Sequence, residues 1–334
     1  MNVLPRNTVL PGDAATVLGG LLPESVDAVV SSPPYAGGVR DYGTPGQLGQ
    51  EASVAEYVGN LRAVTRGVRR VLKPAGSLWL NLGDAYARTT TSGVPKGSLL
   101  LAPQRIALAL SADGWWVRNV VVWQKPNPLP CSAPDRLSPT YEVVLFATKE
   151  RRYYFDLDAI RVPHRSAGRA GRPRAAEAAR RYQGGNSGLG ALKAAGRVGN
   201  GRGKNPGDVW TLPTARDRSG HQATFPEGLV EPSILATCPE RICVQCDRPW
   251  SRPVRVVTLH SAEGERHVRK AGELERCDCF APSRPGVVLD PFFGTGTVGL
   301  VAERLGRDWL GIELNPAYAR LAEERLTAST RRAA

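Results

Sequence analysis

Gly286-Val287-Val288-Leu289-Asp290-Pro291-Phe292-Phe293-Gly294-Thr295-Gly296-Thr297 passes from an apolar, strand-like run into a glycine-rich turn. Val298-Gly299-Leu300-Val301-Ala302-Glu303-Arg304-Leu305 behind it reads as a helix. Glycines between a strand and a helix let a ligand approach the backbone and the helix N-terminus closely. No Lys-Ser/Thr pair follows them, which disfavours a phosphate-binding P-loop. About twenty residues on, Trp309-Leu310-Gly311-Ile312-Glu313 reads as the next strand and ends in an acid, where nucleotide and nucleoside sites place an acceptor for ribose hydroxyls. The plain alternative is a Gly-rich turn and a surface Glu.

Toward the other end of the chain, Val26-Asp27-Ala28-Val29-Val30 reads as a buried strand, and Ser31-Ser32-Pro33-Pro34-Tyr35 follows it. A rigid Pro-Pro turn at the carboxyl end of a strand projects a hydroxyl, a carbonyl and an aromatic ring into the crevice where open α/β sheets bind ligands. Those groups suit a flat, amino-bearing ring. Taken alone, the string also fits a proline-rich loop; the downstream motif decides between the two.

Together these residues resemble the amino-methylating, S-adenosylmethionine-dependent DNA methyltransferases of the beta subgroup. In that subgroup the S-P-P-Y catalytic motif lies near the N-terminus and the D-P-F-x-G-x-G-T cofactor motif near the C-terminus. Gly12-Asp13 looks like the family's adenine-contacting acid. Val121-Val122-Trp123-Gln124-Lys125-Pro126-Asn127-Pro128 and Tyr141-Glu142-Val143-Val144-Leu145-Phe146 look like its later catalytic-half strands, and His221-Gln222-Ala223-Thr224-Phe225-Pro226 is similar to the segment that closes over the methionine end of the cofactor. The resemblance implies a Rossmann-like class I methyltransferase sheet of α/β class. It also implies catalytic roles for Ser32, Pro33, Pro34 and Tyr35, with Asp290, Phe292, Gly294, Gly296 and Thr297 around the methionine of the cofactor. Glu313 would hold the ribose, Asp13 would lie near the adenine amine, and Thr224 and Phe225 would complete the pocket. Each of these residues is also compatible with a turn, capping or core role, Asp13 above all, because Gly-Asp pairs are common in turns.

Composition agrees. A chain of 334 residues with 42% hydrophobic content can bury a sizeable core. Met1-Asn2-Val3-Leu4-Pro5-Arg6 is not an apolar signal segment, and no long uninterrupted apolar run offers a membrane span. A net charge of +13 points to a polyanion, and nucleic acid fits better than a membrane surface because no basic amphipathic anchor stands out. With the resemblance, the expected partner is double-stranded DNA, in the cytoplasm at the nucleoid; a cognate restriction endonuclease is a further candidate, and the oligomeric state stays open, with a homodimer among the alternatives.

Residues 7 to 150 alternate strand-like and helix-like stretches, as in a parallel α/β sheet. One helix can be read in detail: Ser53 and Glu56 make a capping box, Tyr57, Val58, Leu61, Val64, Val68, Val71 and Leu72 share a face, and Pro74 and Gly76 stop it. Ser77-Leu78-Trp79-Leu80-Asn81 reads as the next strand. Five segments result: a catalytic half over 1–160, a basic target-recognition segment over 161–207, a cofactor-closing segment over 208–237, a Cys-rich insertion over 238–281 and a cofactor-binding half over 282–334.

The basic segment holds eleven Lys and Arg between Arg161 and Lys204 against the single acid Glu177. Among them Arg165, Arg169, Arg172, Arg174, Arg180 and Arg181 are expected on DNA; as a plain basic linker the stretch would still bind phosphates. In the Cys-rich insertion, Cys243-Val244-Gln245-Cys246 and Cys277-Asp278-Cys279 form two knuckles that can hold structural zinc in a ribbon, separated by strand-like Val254 to Leu259 and a charged loop. Reduced cysteines are the alternative reading; Cys238 is a substitute ligand candidate and Cys131 a loop thiol.

The chemistry accounts for the residue types. The lone pair of an exocyclic amine on cytosine or adenine is delocalised into the ring, so the amine must be held with both hydrogens engaged and the lone pair facing the methyl donor. The Ser32 hydroxyl and the Pro33 carbonyl can accept those hydrogens while Tyr35 stacks on a base flipped out of the duplex. Serine opening the motif favours N4-methylation of cytosine in this family, with N6-methylation of adenine as the alternative. A non-catalytic DNA-binding protein on a decayed methyltransferase is opposed by the intact Ser32–Tyr35 and Asp290–Thr297 stretches.

Overall fold

A computed structural model describes residues 3–163, 202–215, 225–252, 254–261, 264–271 and 274–333. The chain divides into two units, the larger comprising Met1–Phe155, Gly207–Pro249 and Ala281–Ala334. Its elements in chain order are β1 (Thr8–Pro11), α1 (Ala14–Gly20), β2 (Val26–Ser31), α2 (Val54–Val71), β3 (Leu72–Leu82), α3 (Ala102–Ala112), β4 (Trp116–Gln124), β5 (Tyr141–Thr148), β6 (Val209–Thr211), α4 (Glu227–Thr237) and β7 (Ile242–Cys243). After the smaller unit's β8 (Val254–Ser261) and β9 (Gly264–Ala271), the chain returns as β10 (Ser283–Arg284), β11 (Val287–Asp290), α5 (Thr297–Arg304), β12 (Asp308–Glu313) and α6 (Pro316–Ala333). No helix among the described residues is long and apolar enough to cross a membrane.

Eight strands form one sheet in the order β1-β12-β11-β2-β3-β5-β4-β6, so strands from both chain ends share one core. β2 is buried at all six positions, as an apolar strand covered by helices on both faces must be. One face carries α1, α2 and α3 over Val29, Leu78, Leu80 and Leu145; the other packs α4, α5 and α6 over Val30, Trp79, Phe146 and Val288. α2 follows its sequence signature. Ser53 accepts from the Glu56 amide at 3.2 Å, and Tyr57, Leu61, Val64, Val68 and Val71 turn inward. Leu61 is fully buried, and cutting it to Ala would cost about 2–5 kcal/mol. The buried acid Asp27 ties three strands together, accepting from the Val287 amide at 2.9 Å and pairing with Lys73 at 2.8 Å.

Two expectations need correction. The strands up to residue 150 are not all parallel: β5 runs antiparallel to both β3 and β4. The β4–β5 link, residues 125–140, contains no helix to carry the chain back across the sheet, so β5 returns beside β4 in the opposite sense. The charged stretch after Leu259 is not a loop either. β9 pairs along its length with β8, from Val254 opposite Ala271 to Ser261 opposite Gly264, because a two-stranded ribbon satisfies its backbone without needing an apolar face on every residue.

The smaller unit consists of Asp156–Pro206 and Trp250–Phe280. Besides the β8–β9 ribbon it holds a 3₁₀ turn at Leu157–Ile160 capped by Asp156, an Arg161–Asp158 ion pair and a backbone bridge between Val162 and Lys204. Arg165, Arg169, Arg172, Arg174, Arg180 and Arg181 lie outside the described residues.

Candidate active site

β11 and β2 lie side by side at the point where the sheet changes direction: β2 leads to β3 on one side, and β11 leads to β12 on the other. Their carboxyl ends therefore open the crevice in which doubly wound sheets bind ligands. The two motifs meet there. Ser31 Oγ donates to Asp290 Oδ1 at 2.5 Å across 259 residues of sequence, and the Phe292 amide donates to the same oxygen at 3.0 Å. Asp290 is fully buried, and its Oδ2 has no partner among the described residues. Burial pushes its carboxyl up to about 7, against the opposing pull of the Ser31 and Phe292 hydrogen bonds.

On the β11–β12 side lies an open cleft that Asp13, Phe225, Phe292, Gly294, Thr297 and Glu313 line. Glu313 organises the turn. It accepts from the Gly294 amide at 2.7 Å and the Asn315 amide at 2.8 Å, and burial raises its carboxyl. Gly296 adopts the left-handed conformation (φ 81°) at the start of α5, which a side chain would resist. Asp290 and Gly296 are not among the residues that line the cleft. Asp13 caps α1 by accepting from the Thr16 amide at 2.9 Å and also lines the cleft. Thr224 lies outside the described residues. Tyr42, Gln47, Asn315 and Tyr318, which the sequence reading did not single out, also face the cleft.

On the β2–β3 side, Ser32 and Pro34 line the same cleft. The Pro34 carbonyl accepts from the Tyr57 hydroxyl at 2.9 Å, which fixes the turn; Pro33 is buried and is not among the residues lining the cleft. Tyr35 is set by a polar cluster that sequence reasoning missed. Its hydroxyl donates to Glu142 Oε2 at 2.6 Å, and Asn81 Nδ2 reaches Tyr35 Oη at 2.7 Å, Glu142 Oε2 at 3.1 Å and Ser32 Oγ at 3.3 Å. Lys125 pairs with Glu142 Oε1. Burial and the neighbouring carboxylate hold the Tyr35 hydroxyl well above the ordinary tyrosine range, so it stays protonated. Gly83 leaves room for the ring, since a Cβ there would meet Tyr35 Cε2 at 2.5 Å.

The cysteine knuckles are two tight turns. In the larger unit the Asp247 amide donates to the Cys243 carbonyl at 3.1 Å, with Cys243 buried and Cys246 exposed. In the smaller unit the Phe280 amide donates to the Cys277 carbonyl at 3.3 Å, with Cys277 buried and Cys279 half-buried. Cys238 is a core residue at the end of α4 and packs against the sheet.

The sequence profile of the DNA methylase family, the N6/N4 amino group, matches residues 26–324. This chain belongs to that family. The type II methyltransferase M.SmaI of Serratia marcescens is 32% identical over 340 residues, covering 95% of this chain and 90% of the relative. M.SfiI of Streptomyces fimbriatus is 49% identical over 180 residues, 51% of this chain and 42% of its own length. Among solved structures, the PvuII DNA methyltransferase (cytosine-N4-specific) superposes with a TM-score of 0.57 at 19% identity, over 99% of this chain and 93% of that one. A putative DNA modification methylase from Thermus thermophilus, solved with S-adenosyl-L-methionine, gives 0.51 at 23% identity over 96% and 95%. The methylase is thus a DNA methyltransferase of the amino-methylating kind, for which its sequence motifs imply S-adenosylmethionine as the methyl donor. Its cleft fits that cofactor in donor set: two carboxylates for hydroxyls and amines, aromatic faces at Phe225 and Phe292, and a glycine turn open to close approach.

Proposed function

We propose that the methylase modifies the exocyclic N4 amine of cytosine in double-stranded DNA, as the type II partner of a restriction endonuclease. Ser32 carries this reading: a hydroxyl opens the S-P-P-Y motif and faces the cleft shared with the cofactor residues. Bound in that cleft, S-adenosylmethionine supplies an electrophilic methyl group. Asp13, Phe225, Phe292, Gly294, Thr297 and Glu313 hold it, backed by Asp290 and Gly296, with Thr224 completing the set. Ser32 and the Pro33 carbonyl hold the target amine, Pro34 stiffens the turn, and Tyr35 stacks on the flipped base. Arg165, Arg169, Arg172, Arg174, Arg180 and Arg181 bind DNA phosphates, so deleting residues 165–202 should flatten the dependence of DNA affinity on salt. Nucleoside mass spectrometry of methylated DNA is the deciding experiment. Methylcytidine supports the assignment, and methyladenosine without it overturns the base while leaving the fold and cofactor intact.

We further propose that Cys243, Cys246, Cys277 and Cys279 hold one structural zinc. Within the larger unit Cys243 pairs with Ser283, and the Val244 amide donates to the Pro282 carbonyl at 3.0 Å. Two knuckles with these short cysteine spacings are the donor set of a tetrahedral structural zinc. Elemental analysis of protein purified without chelator should find about one zinc per chain; finding none ends the idea.

A further inference from the structure

The polar cluster behind Ser32 has a direction. Glu142 is a carboxylate and can only accept, and Lys125 fills one of its oxygens. The Asn81 amide beside it must therefore turn its NH₂ toward Glu142, and that same nitrogen is the atom facing Ser32 Oγ at 3.3 Å. Tyr35 Oη and Glu142 Oε2 are 2.6 Å apart and can share one Asn81 hydrogen, which leaves the other for Ser32. Nothing on the opposite side fixes the amide, because Asn81 Oδ1 is buried without a partner among the described residues. Its orientation rests on Glu142.

We propose that Glu142, paired with Lys125, sets through Asn81 the polarity of the Ser32 hydroxyl. With an N–H on its oxygen, Ser32 turns its own hydrogen toward the ligand. It then donates to the ring nitrogen next to the target amine and accepts from the amine through its remaining lone pair. Reversing Asn81 would put a carbonyl against Ser32, consume the hydroxyl hydrogen and leave the ring nitrogen unmatched. Asn81, Glu142 and Lys125 are positioning residues for base recognition. The inference rests on Ser32 acting on cytosine.

Glu142→Gln keeps the shape and removes the polarity, since the substituted amide can offer its own NH₂ to Asn81 and let the Asn81 amide reverse. Single-turnover methylation is measured on duplexes carrying the enzyme's own site, with either cytosine or 3-deazacytosine at the target; the second base has C–H in place of the ring nitrogen. E142Q should lower the rate on cytosine about tenfold, the worth of one hydrogen bond. It should leave the rate on 3-deazacytosine and the affinity for S-adenosylmethionine unchanged. Equal losses on both bases, or no loss on cytosine, overturn the proposal. Lys125→Met leaves Glu142 in place and should give the same pattern more weakly. It decides the matter if E142Q loses cofactor affinity, with equal losses or none again counting against the relay. Ser32→Ala is the control. A silent Ser32→Ala sinks the catalytic reading itself, whereas a severe Ser32→Ala with a silent E142Q sinks the relay alone.

Discussion

The strand ends at β11 and β2 both finish in proline turns over one cleft, yet they are built on opposite principles. At β11 the backbone organises the site: Gly294 and Asn315 give their amides to Glu313, and Gly296 supplies a left-handed residue. At β2 the side chains do so, with Ser32, Tyr35, Asn81, Glu142 and Lys125 joined in one network. A backbone cradle shapes itself to a ligand that is always the same molecule. A side-chain network can set the direction of each hydrogen, which discrimination among bases requires. Damage to the first should therefore appear as lost cofactor affinity, and damage to the second as lost turnover.

Ser32→Ala tests this contrast most severely. Turnover should fall by about a hundredfold or more, with cofactor affinity measured by calorimetry unchanged. Tyr35→Ala should behave in the same way. If either variant weakened S-adenosylmethionine as much as it slowed transfer, the two corners would not be separate. Asp290 sits on the seam. Its carboxyl is raised from 3.8 to about 7 in the fold, so the native state binds more protons than the unfolded chain between those values. The sign follows: the stabilisation is complete below about pH 4 and is lost as pH rises through about 7, a change on the order of a few kcal/mol. Denaturant melts of Asp290→Asn against wild type should show a flatter pH dependence in the variant, and parallel curves would remove the buried acid from the account. Glu313→Ala should weaken S-adenosylmethionine about tenfold or more, the worth of hydrogen bonds to a charged group, while saturating cofactor restores most of the turnover. The smallest effect concerns Asp13. Asp13→Ala should cost about 1 kcal/mol through the lost helix cap, and Asp13→Ser should recover it. If Asp13→Ser also binds the cofactor like wild type, Asp13 serves only the helix.

The backbone corner was readable in sequence because its requirements are local. Glycines at Gly294 and Gly296 between an apolar strand and a helix announce a turn, and the acid ending the next strand announces its partner. The order of the two motifs, Ser32–Tyr35 before Asp290–Thr297, pointed to the family. The network corner was not readable, since Asn81, Lys125 and Glu142 come from three separate stretches and meet only through register: Asn81 stands opposite Val144 on β5, and Gln124, the residue before Lys125, stands opposite Tyr141. A faint signal existed. Asn81 interrupts the apolar run of β3 and Glu142 opens the buried stretch of β5, and polar residues at such positions need partners. The Ser31–Asp290 bond was equally hidden, because 259 residues of sequence separate its partners.

The position of β11 between β12 and β2 also governs how the chain comes into being. During synthesis β2 emerges early and stays an open sheet edge until residue 287 has been made, so the nascent protein presents unpaired amides and carbonyls on a wholly buried-type strand. Late closure of this kind raises contact order, slows folding and leaves the growing chain dependent on protection against aggregation. It also makes activity all-or-none in time: the β11–β12 half of the cleft does not exist before the last strands arrive, and a truncated product ending before β11 has no means of marking DNA.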